Sequence, residues 1–280
     1  MKPIFSGKVR EIYDISDKHL IIVTTDRISA FDRILPVTIK NKGVVLNRLS
    51  NFWFKKTKNI SKNHIVDDNI NNMPEFFHND YFKERTVMVT KLDMLPYEFV
   101  VRGYIFGNMW KAYEKGEIFC GNRITGDYKQ AQKLKAPVIT PALKHNTDHD
   151  EYVDMKFIKS KLGDELTKHI TEICFDLYDE CSKYALLKGI IIADAKFEFG
   201  LDQQGHLVLA DEIFTPDSSR FWNLSDYKVG DSPKSFDKQL LRDWLTKNKT
   251  QNGFPFDKIP QGILFQTEKI YNECLNKLMN

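Results

Sequence analysis

Cysteine is scarce in this chain, and the little there is has no metal-binding spacing. Four cysteines occur in 280 residues, and no two form a CxxC pair. A disulfide framework and a zinc site are both unexpected; Cys174 and Cys181 should share one buried helix face in a reducing cytosol. Long apolar runs are missing as well. No stretch approaches the length of a membrane span, and the opening MKPIFSGKVREIYD lacks the apolar core of a signal peptide. Nor is there an excess of charge. A net +3 is too small for a dedicated nucleic-acid binder, which needs a concentrated basic stripe. No internal repeat or low-complexity tract occurs. These absences predict a cytoplasmic protein with no nucleic-acid partner and no membrane partner; composition sets no oligomeric state.

The remaining composition is that of a soluble globular protein, 42% hydrophobic and 28% charged. The length suits one compact two-lobed unit or two domains.

The informative stretch is residues 189–220, GIIIADAKFEFGLDQQGHLVLADEIFTPDSSR. Its first arm, Ile190 to Leu201, alternates in period two. Ala193, Ala195, Phe197 and Phe199 fall on one face, and Asp194, Lys196 and Glu198 on the other. Asp202 to Gly205 reads as a turn and His206 to Ile213 as the return arm. That register sets Lys196 opposite Asp211, with Glu198 diagonal to it. Diagonal neighbours lie about 7–8 Å apart, so the two carboxylates can close on one cation. A hairpin with one face in water would alternate in the same way. Two features favour a site: the dense apolar arm, and the run Asp211-Glu212 just before Pro216-Asp217-Ser218-Ser219-Arg220. Small hydroxyls, backbone N–H groups and an arginine suit a phosphate or carboxylate. Carboxylates beside such a turn point to magnesium-assisted phosphate chemistry.

Other segments carry weaker signals. Gly7 opens a strand with Lys8 and Arg10 beside it; such a loop lies over nucleotide phosphates in some folds and is a plain turn in others. Residues 25–32, TDRISAFD, contain Ser29, which would otherwise cap or turn the chain. Gly43 to Phe54 reads as an amphipathic helix with its aromatic face in the core. A strand from Arg85 to Met94, ending near Lys91, precedes a break at Leu95-Pro96. The lobe boundary is placed there, giving lobes 1–94 and 95–280 with backbone free for an adenine edge. Arg102 followed by Gly107-Asn108 at a helix start reads as a phosphate cup or merely as the helix start. Lys144, His149 and Asp150 lie in a loop-rich stretch, where acid–base chemistry and a structural turn are both open. Asp164 is expected to cap a long helix that ends at Gly189. A short helix follows Phe236, and a last one spans Thr267 to Met279.

ADAKFEFG followed by LADEIFTPDSSRFW closely resembles the signature of SAICAR synthetases of purine biosynthesis. The segments GKVRE-Y, TDRISAFD, Arg102 with Gly107-Asn108, a Lys…HD element and DKQ-RDW also resemble that family, in its order. Asn108 stands where the family usually has serine. The resemblance implies an α+β (α/β two-lobed) fold of antiparallel sheets around an ATP cleft. It implies an ATP-dependent ligase joining CAIR, a carboxyaminoimidazole ribonucleotide, to L-aspartate, releasing ADP and phosphate. A carboxylate is a poor acylating agent, so phosphorylation by ATP activates it for the amine, and catalysis is mainly positioning and charge neutralisation. On this reading Glu198 and Asp211 hold Mg2+, and Gly7, Lys8, Arg10 and Lys144 meet the ATP phosphates. Lys91 and Glu98 would line the nucleotide pocket. Arg102, Asn108, Ser218 and Arg220 would take the ribonucleotide phosphate, Asp194 and Lys196 the reacting carboxylate, and Ser29 and Arg242 the aspartate. A small-molecule kinase or a non-catalytic nucleotide sensor would share the loop and the carboxylate pair.

Overall fold

The computed structural model of the chain describes residues 1–31, 33–145, 150–251 and 253–280. In chain order the strands are β1 (Phe5–Ser6), β2 (Arg10–Asp14), β3 (His19–Thr24), β4 (Arg27–Ala30) and β5 (Arg33–Thr38). After helix α1 (Lys42–Lys56) come β6 (Ile65–Asp67), β7 (Thr86–Thr90) and β8 (Asp93–Tyr104). Helix α2 (Gly107–Glu114) precedes β9 (Lys133–Leu143) and β10 (Glu151–Tyr152). Helices α3 (Met155–Leu162) and α4 (Asp164–Leu187) lead into β11 (Ile190–Leu201), β12 (Leu207–Ala210) and β13 (Ser219–Asn223). Helices α5 (Gln239–Lys247) and α6 (Gln261–Met279) complete the chain.

The fold is α+β. A five-stranded sheet has the order β1-β2-β3-β7-β6, and a six-stranded one runs β10-β9-β8-β11-β12 with β13 also on β11; β4 and β5 form a separate ribbon. Every pairing of these strands is antiparallel. The two larger sheets meet at Asn63–His64. There the His64 N–H donates to Leu209 on β12 at 3.0 Å, and its carbonyl accepts from Thr90 on β7 at 2.8 Å.

β11 lies at the centre of the large sheet. Phe197 and Phe199 are fully buried against Leu177, Cys181 and Phe214, each such ring contributing about 1.5–3 kcal/mol relative to exposure. One edge of β11 pairs with β8; the other is divided between β13, opposite Ile190 to Ala195, and β12, opposite Glu198 to Leu201. In the gap between those partners the loop 211–218 crosses, and the Lys196 N–H donates to the Ser218 carbonyl at 2.9 Å. On this edge Lys196 faces a loop, while on the other it pairs with Val100 of β8.

Several expectations need correction. Glu198 pairs with Ala210, so the hairpin register is shifted by one residue from that expected, and Lys196 is not opposite Asp211 in the ladder. The cause is the loop. It is closed by the Asp202 carboxylate, which accepts from the N–H groups of both Gln204 and His206 at 2.9 Å. Ala193 does not share the Ala195 face: a bulge between Ile192 and Asp194 turns Ala193 towards Ile191 and Trp222. Leu95-Pro96 is not a break, because β8 runs through it and the Pro96 carbonyl accepts from the Lys144 N–H at 2.9 Å. Asp164 is the first helical residue of α4 and makes no capping bond; Gly163 occupies the cap. The last helix starts at Gln261, behind Pro260. Cys174 and Cys181 are buried on one face of α4, and all four cysteines are free thiols. Among the described residues no helix is long and apolar enough to cross a membrane.

Candidate active site

The polar face of β11 carries Asp194, Lys196 and Glu198, and each meets a different surrounding. At the Glu198 end, β8 brings Glu98 directly across in register, and β9 ends at Leu143, just before Lys144. The Lys196 ammonium lies 3.0 Å from Glu98 and 3.3 Å from Asp211, and bonds Glu198 as well. Lys144 closes on the other Glu198 oxygen. Asp211 reaches this group although it has left the ladder. Its backbone is left-handed, with φ 63°, which redirects the side chain after β12 ends at Ala210. Arg10, from the glycine-opened loop, bonds Asp211 and reaches Glu212 at 2.6 Å. Three cations therefore face four carboxylates.

Charge of this density shifts the titration of its members. Burial alone would raise the Glu198 carboxyl, but Lys196 and Lys144 hold it down to about 2. Burial lowers the Lys196 ammonium less than Glu198 and Glu98 raise it, so it stays charged far into the alkaline range. Glu98 is pushed up by burial and, secondarily, by Glu198, against the pull of Lys196.

At the Asp194 end the balance is reversed. One Asp194 oxygen accepts from Arg102 at 3.0 Å and from Arg220. Arg102 is itself held by Thr140 at 2.9 Å. Arg220 lies under the start of α2, where Gly107 has φ 62°; a Cβ there would stand 3.1 Å from an Arg220 nitrogen. Glycine is thus needed both for the turn and for the close approach. Asn108 follows on the first turn of α2 and donates to the Tyr152 hydroxyl at 3.0 Å. This end opens into a cleft of about 650 Å³ whose wall continues through Ser218 and Lys238 to Arg242.

The loop between the two ends is braced from behind. The Thr215 hydroxyl donates to Glu212 at 2.8 Å, and the Ser218 hydroxyl bonds both the N–H and the hydroxyl of Thr215. Asp217 accepts from buried Lys42 at 2.8 Å and from the Tyr271 hydroxyl at 2.6 Å, with Lys238 at 3.3 Å.

Of the residues singled out in the sequence, Arg10, Glu98, Lys144, Lys196, Glu198 and Asp211 come together at one end. Arg102, Asn108, Asp194, Ser218, Arg220 and Arg242 line or adjoin the other. Gly7 shapes the loop that carries Arg10, its N–H donating to the Arg10 carbonyl at 2.8 Å, and Lys8 is exposed on that loop. Lys91 pairs with Asp14 at 2.8 Å instead of joining the carboxylate group. Ser29 lies on the β4–β5 ribbon and is not among the residues lining the cleft. His149 lies outside the described residues; Asp150 is exposed. Sequence reasoning missed Arg27, which clamps the glycine loop through Glu11 at 2.7 Å and the Gly7 carbonyl at 3.1 Å. It also missed Lys42, Asp217 and Lys238. Of these Asp217 and Lys238 lay inside noted motifs, and nothing local marks Lys42, a lysine at a helix start, as buried.

Comparisons with known proteins identify the family. The SAICAR synthetase family model matches residues 3–255. A phosphoribosylaminoimidazole-succinocarboxamide synthase of Lachnospira eligens is 44% identical, over 98% of this chain and 94% of its own. The Saccharomyces cerevisiae SAICAR synthase, solved in complex with SAICAR, superposes with a TM-score of 0.90 at 40% identity, covering 99% of this chain and 94% of that one. A SAICAR synthetase solved in complex with ADP has a TM-score of 0.71 at 26% identity, over 98% and 97% of the two chains. Sequence and fold place this chain in the SAICAR synthetase family.

Proposed function

We infer that this cleft joins CAIR to L-aspartate at the expense of ATP, giving SAICAR, ADP and phosphate in purine biosynthesis. The chain is an ATP-dependent carbon–nitrogen ligase. The observation that carries the assignment of its ends is the position of Lys196, between a carboxylate-rich group and a guanidinium-rich one on a single strand face.

The carboxylate-rich end is assigned to the nucleotide. Arg10, Lys8 and Lys144 offset the charge of the ATP phosphates, with Gly7 keeping the covering loop close; Lys91 and Glu98 border the nucleotide. The donor set suits Mg2+, which takes hard oxygen ligands from one or two carboxylates and fills the rest with water and phosphate. Glu198 and Asp211 would hold it, since both already converge on one cation, Lys196. When bound, the ion neutralises charge on the phosphates.

The guanidinium-rich end is assigned to the ribonucleotide. Arg220, Arg102, Asn108 and Ser218 take its phosphate, helped by N–H groups at the start of α2. Asp194 and Lys196 orient the imidazole carboxylate towards the nucleotide, Lys196 offsetting the charge that grows as phosphoryl transfer proceeds. Arg242 holds the aspartate, with Ser29 assigned the same substrate. A division into lobes 1–94 and 95–280, set at the entry to β8 and not at a break in the chain, and a cytoplasmic location complete the proposal.

The test is phosphate release from ATP and magnesium with CAIR and L-aspartate added singly and together. Release that needs both, with equal loss of the aspartate amine, is expected. Release with CAIR alone as phosphate acceptor, or none with both in a folded protein that binds ATP, overturns the ligase reading.

A further inference from the structure

Asn51 on α1 is buried, with 8% of its surface exposed, and among the described residues its amide has no hydrogen-bond partner. Asn47, one turn earlier, is settled, since its amide donates to the Glu84 carbonyl at 2.8 Å. An amide carries both donors and an acceptor, and leaving them unpaired in an interior is costly.

The two asparagines form a wall between two spaces. Outside is an open cleft of about 730 Å³ along α1. Inside is a cavity of about 20 Å³, where α1 meets the five-stranded sheet and the turn that leaves β12. A water molecule needs about 10–15 Å³ of such space, so the cavity has room for one. Its polar walls are Asn51 and Ser50 of α1, Thr24 of β3, Arg10 of β2, and Asp211 with Glu212. The Ser50 hydroxyl accepts from the Ile213 N–H at 3.3 Å and has its own proton to give. Glu212 takes Arg10 on one oxygen and the Thr215 hydroxyl on the other, and each oxygen has a further lone pair. A single water there meets donors on the α1 side and acceptors on the carboxylate side, within the two to four partners that hold a buried water.

The cavity lies behind the carboxylate-rich end, at a junction that backbone does not secure. Among the described residues no backbone hydrogen bond joins β2 to the loop 211–218, so side chains alone carry Arg10 to Asp211 and Glu212. We propose that this cavity is a binding site for one structural water, and that Asn51 is a positioning residue. Through the water it fixes Arg10 against Asp211 and Glu212 for the nucleotide. The positioning role rests on the assignment of that end to the nucleotide; the water site does not.

The first measurement is a crystal structure of the wild-type chain at a resolution that shows ordered water. One water is expected in the cavity, within hydrogen-bond distance of the Asn51 amide and of Arg10, Asp211 or Glu212. Calorimetry then compares wild type, Asn51→Leu and Asn51→Ser, with magnesium–ATP and CAIR titrated separately. Leucine keeps the branched shape and removes both polar atoms. Its Kd for magnesium–ATP should rise about 3- to 10-fold, as for loss of one hydrogen bond. Its Kd for CAIR should stay within about 2-fold, the scatter of independent sites. Asn51→Ser, polar and with room for a further water, should restore most of the magnesium–ATP affinity. Should Asn51→Leu fail to fold, the smaller Asn51→Val makes the same comparison. A dry cavity in the wild type, or a water that does not touch Asn51, overturns the proposal. So does an unchanged magnesium–ATP affinity in the apolar variant, or an equal loss for both ligands with a lowered melting temperature, which would make Asn51 packing only. Wild-type protein that holds the water but binds no magnesium–ATP overturns the nucleotide assignment, and the positioning role with it.

Discussion

The two ends of β11 lie on one face of one strand and yet have opposite characters. Around Glu198 three cations face four carboxylates; around Asp194 two guanidiniums share one carboxylate oxygen. The first end has room for one more cation, and the second for an anion. Lys196 stands between them and belongs by contact to the acid end. On the proposed reading this polarity separates two anionic substrates: the acid end takes the cation that accompanies the nucleotide phosphates, and the basic end takes the ribonucleotide phosphate directly. The difference also shows in what each end rests upon. The acid end depends on a left-handed Asp211 and on Arg10, the first residue of β2, brought in from the smaller sheet; the basic end depends on a ladder pair, Asp194 with Arg220, and on a glycine that leaves room for it.

The sharpest way to break the contrast is to remove the group between the ends. Lys196→Met should leave Glu98, Glu198 and Asp211 without their shared cation and lower turnover about 1,000-fold, measured as phosphate release with both substrates. Glu198→Gln acts on one end only. It should lower turnover about 100-fold and raise the magnesium needed for half-activity, while the KM for CAIR stays put. Unchanged magnesium dependence would remove Glu198 from the metal assignment. Arg220→Met is the mirror experiment, expected to raise the KM for CAIR about 100-fold and leave that for ATP nearly as it was. Gly107→Ala should act more gently at the same end. The left-handed backbone and the 3.1 Å approach to Arg220 should lower stability by about 1 kcal/mol and raise the CAIR KM several-fold, read by thermal melting and initial rates.

Acid should distinguish the acid end from the seam behind it. Glu198 titrates lower when folded than when unfolded, so its stabilisation is complete above about pH 4.5 and is lost as pH falls towards about 2. His64, at the seam between the two sheets, is buried; burial, with Arg10 adding to it, pushes the imidazole down to about 3. The unfolded chain binds that proton from about pH 6.5 downward and the folded one does not. Stability should therefore fall below pH 6.5 by up to about 1.4 kcal/mol per unit. His64→Phe should flatten the melting temperature between pH 6.5 and 5, where Glu198 does not yet titrate, and should remove the His64 share of the loss down to about pH 3 while leaving the Glu198 share. It is the smallest of these effects at neutral pH, and the one that leaves the cleft untouched.

Period-two alternation in 190–201 was enough to put Lys196 and Glu198 on one polar face, because a strand points alternate side chains to opposite sides whatever its neighbours are. The one-residue error in the return arm arose at the turn, where Asp202 captures two backbone N–H groups and adds a residue to the loop. Asp211 nevertheless belongs to the group, because its own φ compensates for the slip. No alternation rule encodes that compensation. The misplaced break at Leu95-Pro96 has a similar origin. Proline removes one donor, but β8 keeps its place between β9 and β11 through the residues on either side.

By itself the sequence determined the chemical inventory and its rough order: an alternating strand with an acid, a lysine and an acid, a turn rich in hydroxyls ending in arginine, a glycine loop, and free thiols. These are local properties, set by side-chain type and by the geometry of one strand or helix. The tertiary structure alone decided which charges meet. Arg10 reaches Asp211 across 201 residues, Lys42 reaches Asp217 across 175, and Arg102 reaches Asp194 across 92. Such pairs form because burial makes an uncompensated charge far more costly than the chain entropy of bringing a distant partner to it. The partner is whichever one the packed sheets deliver.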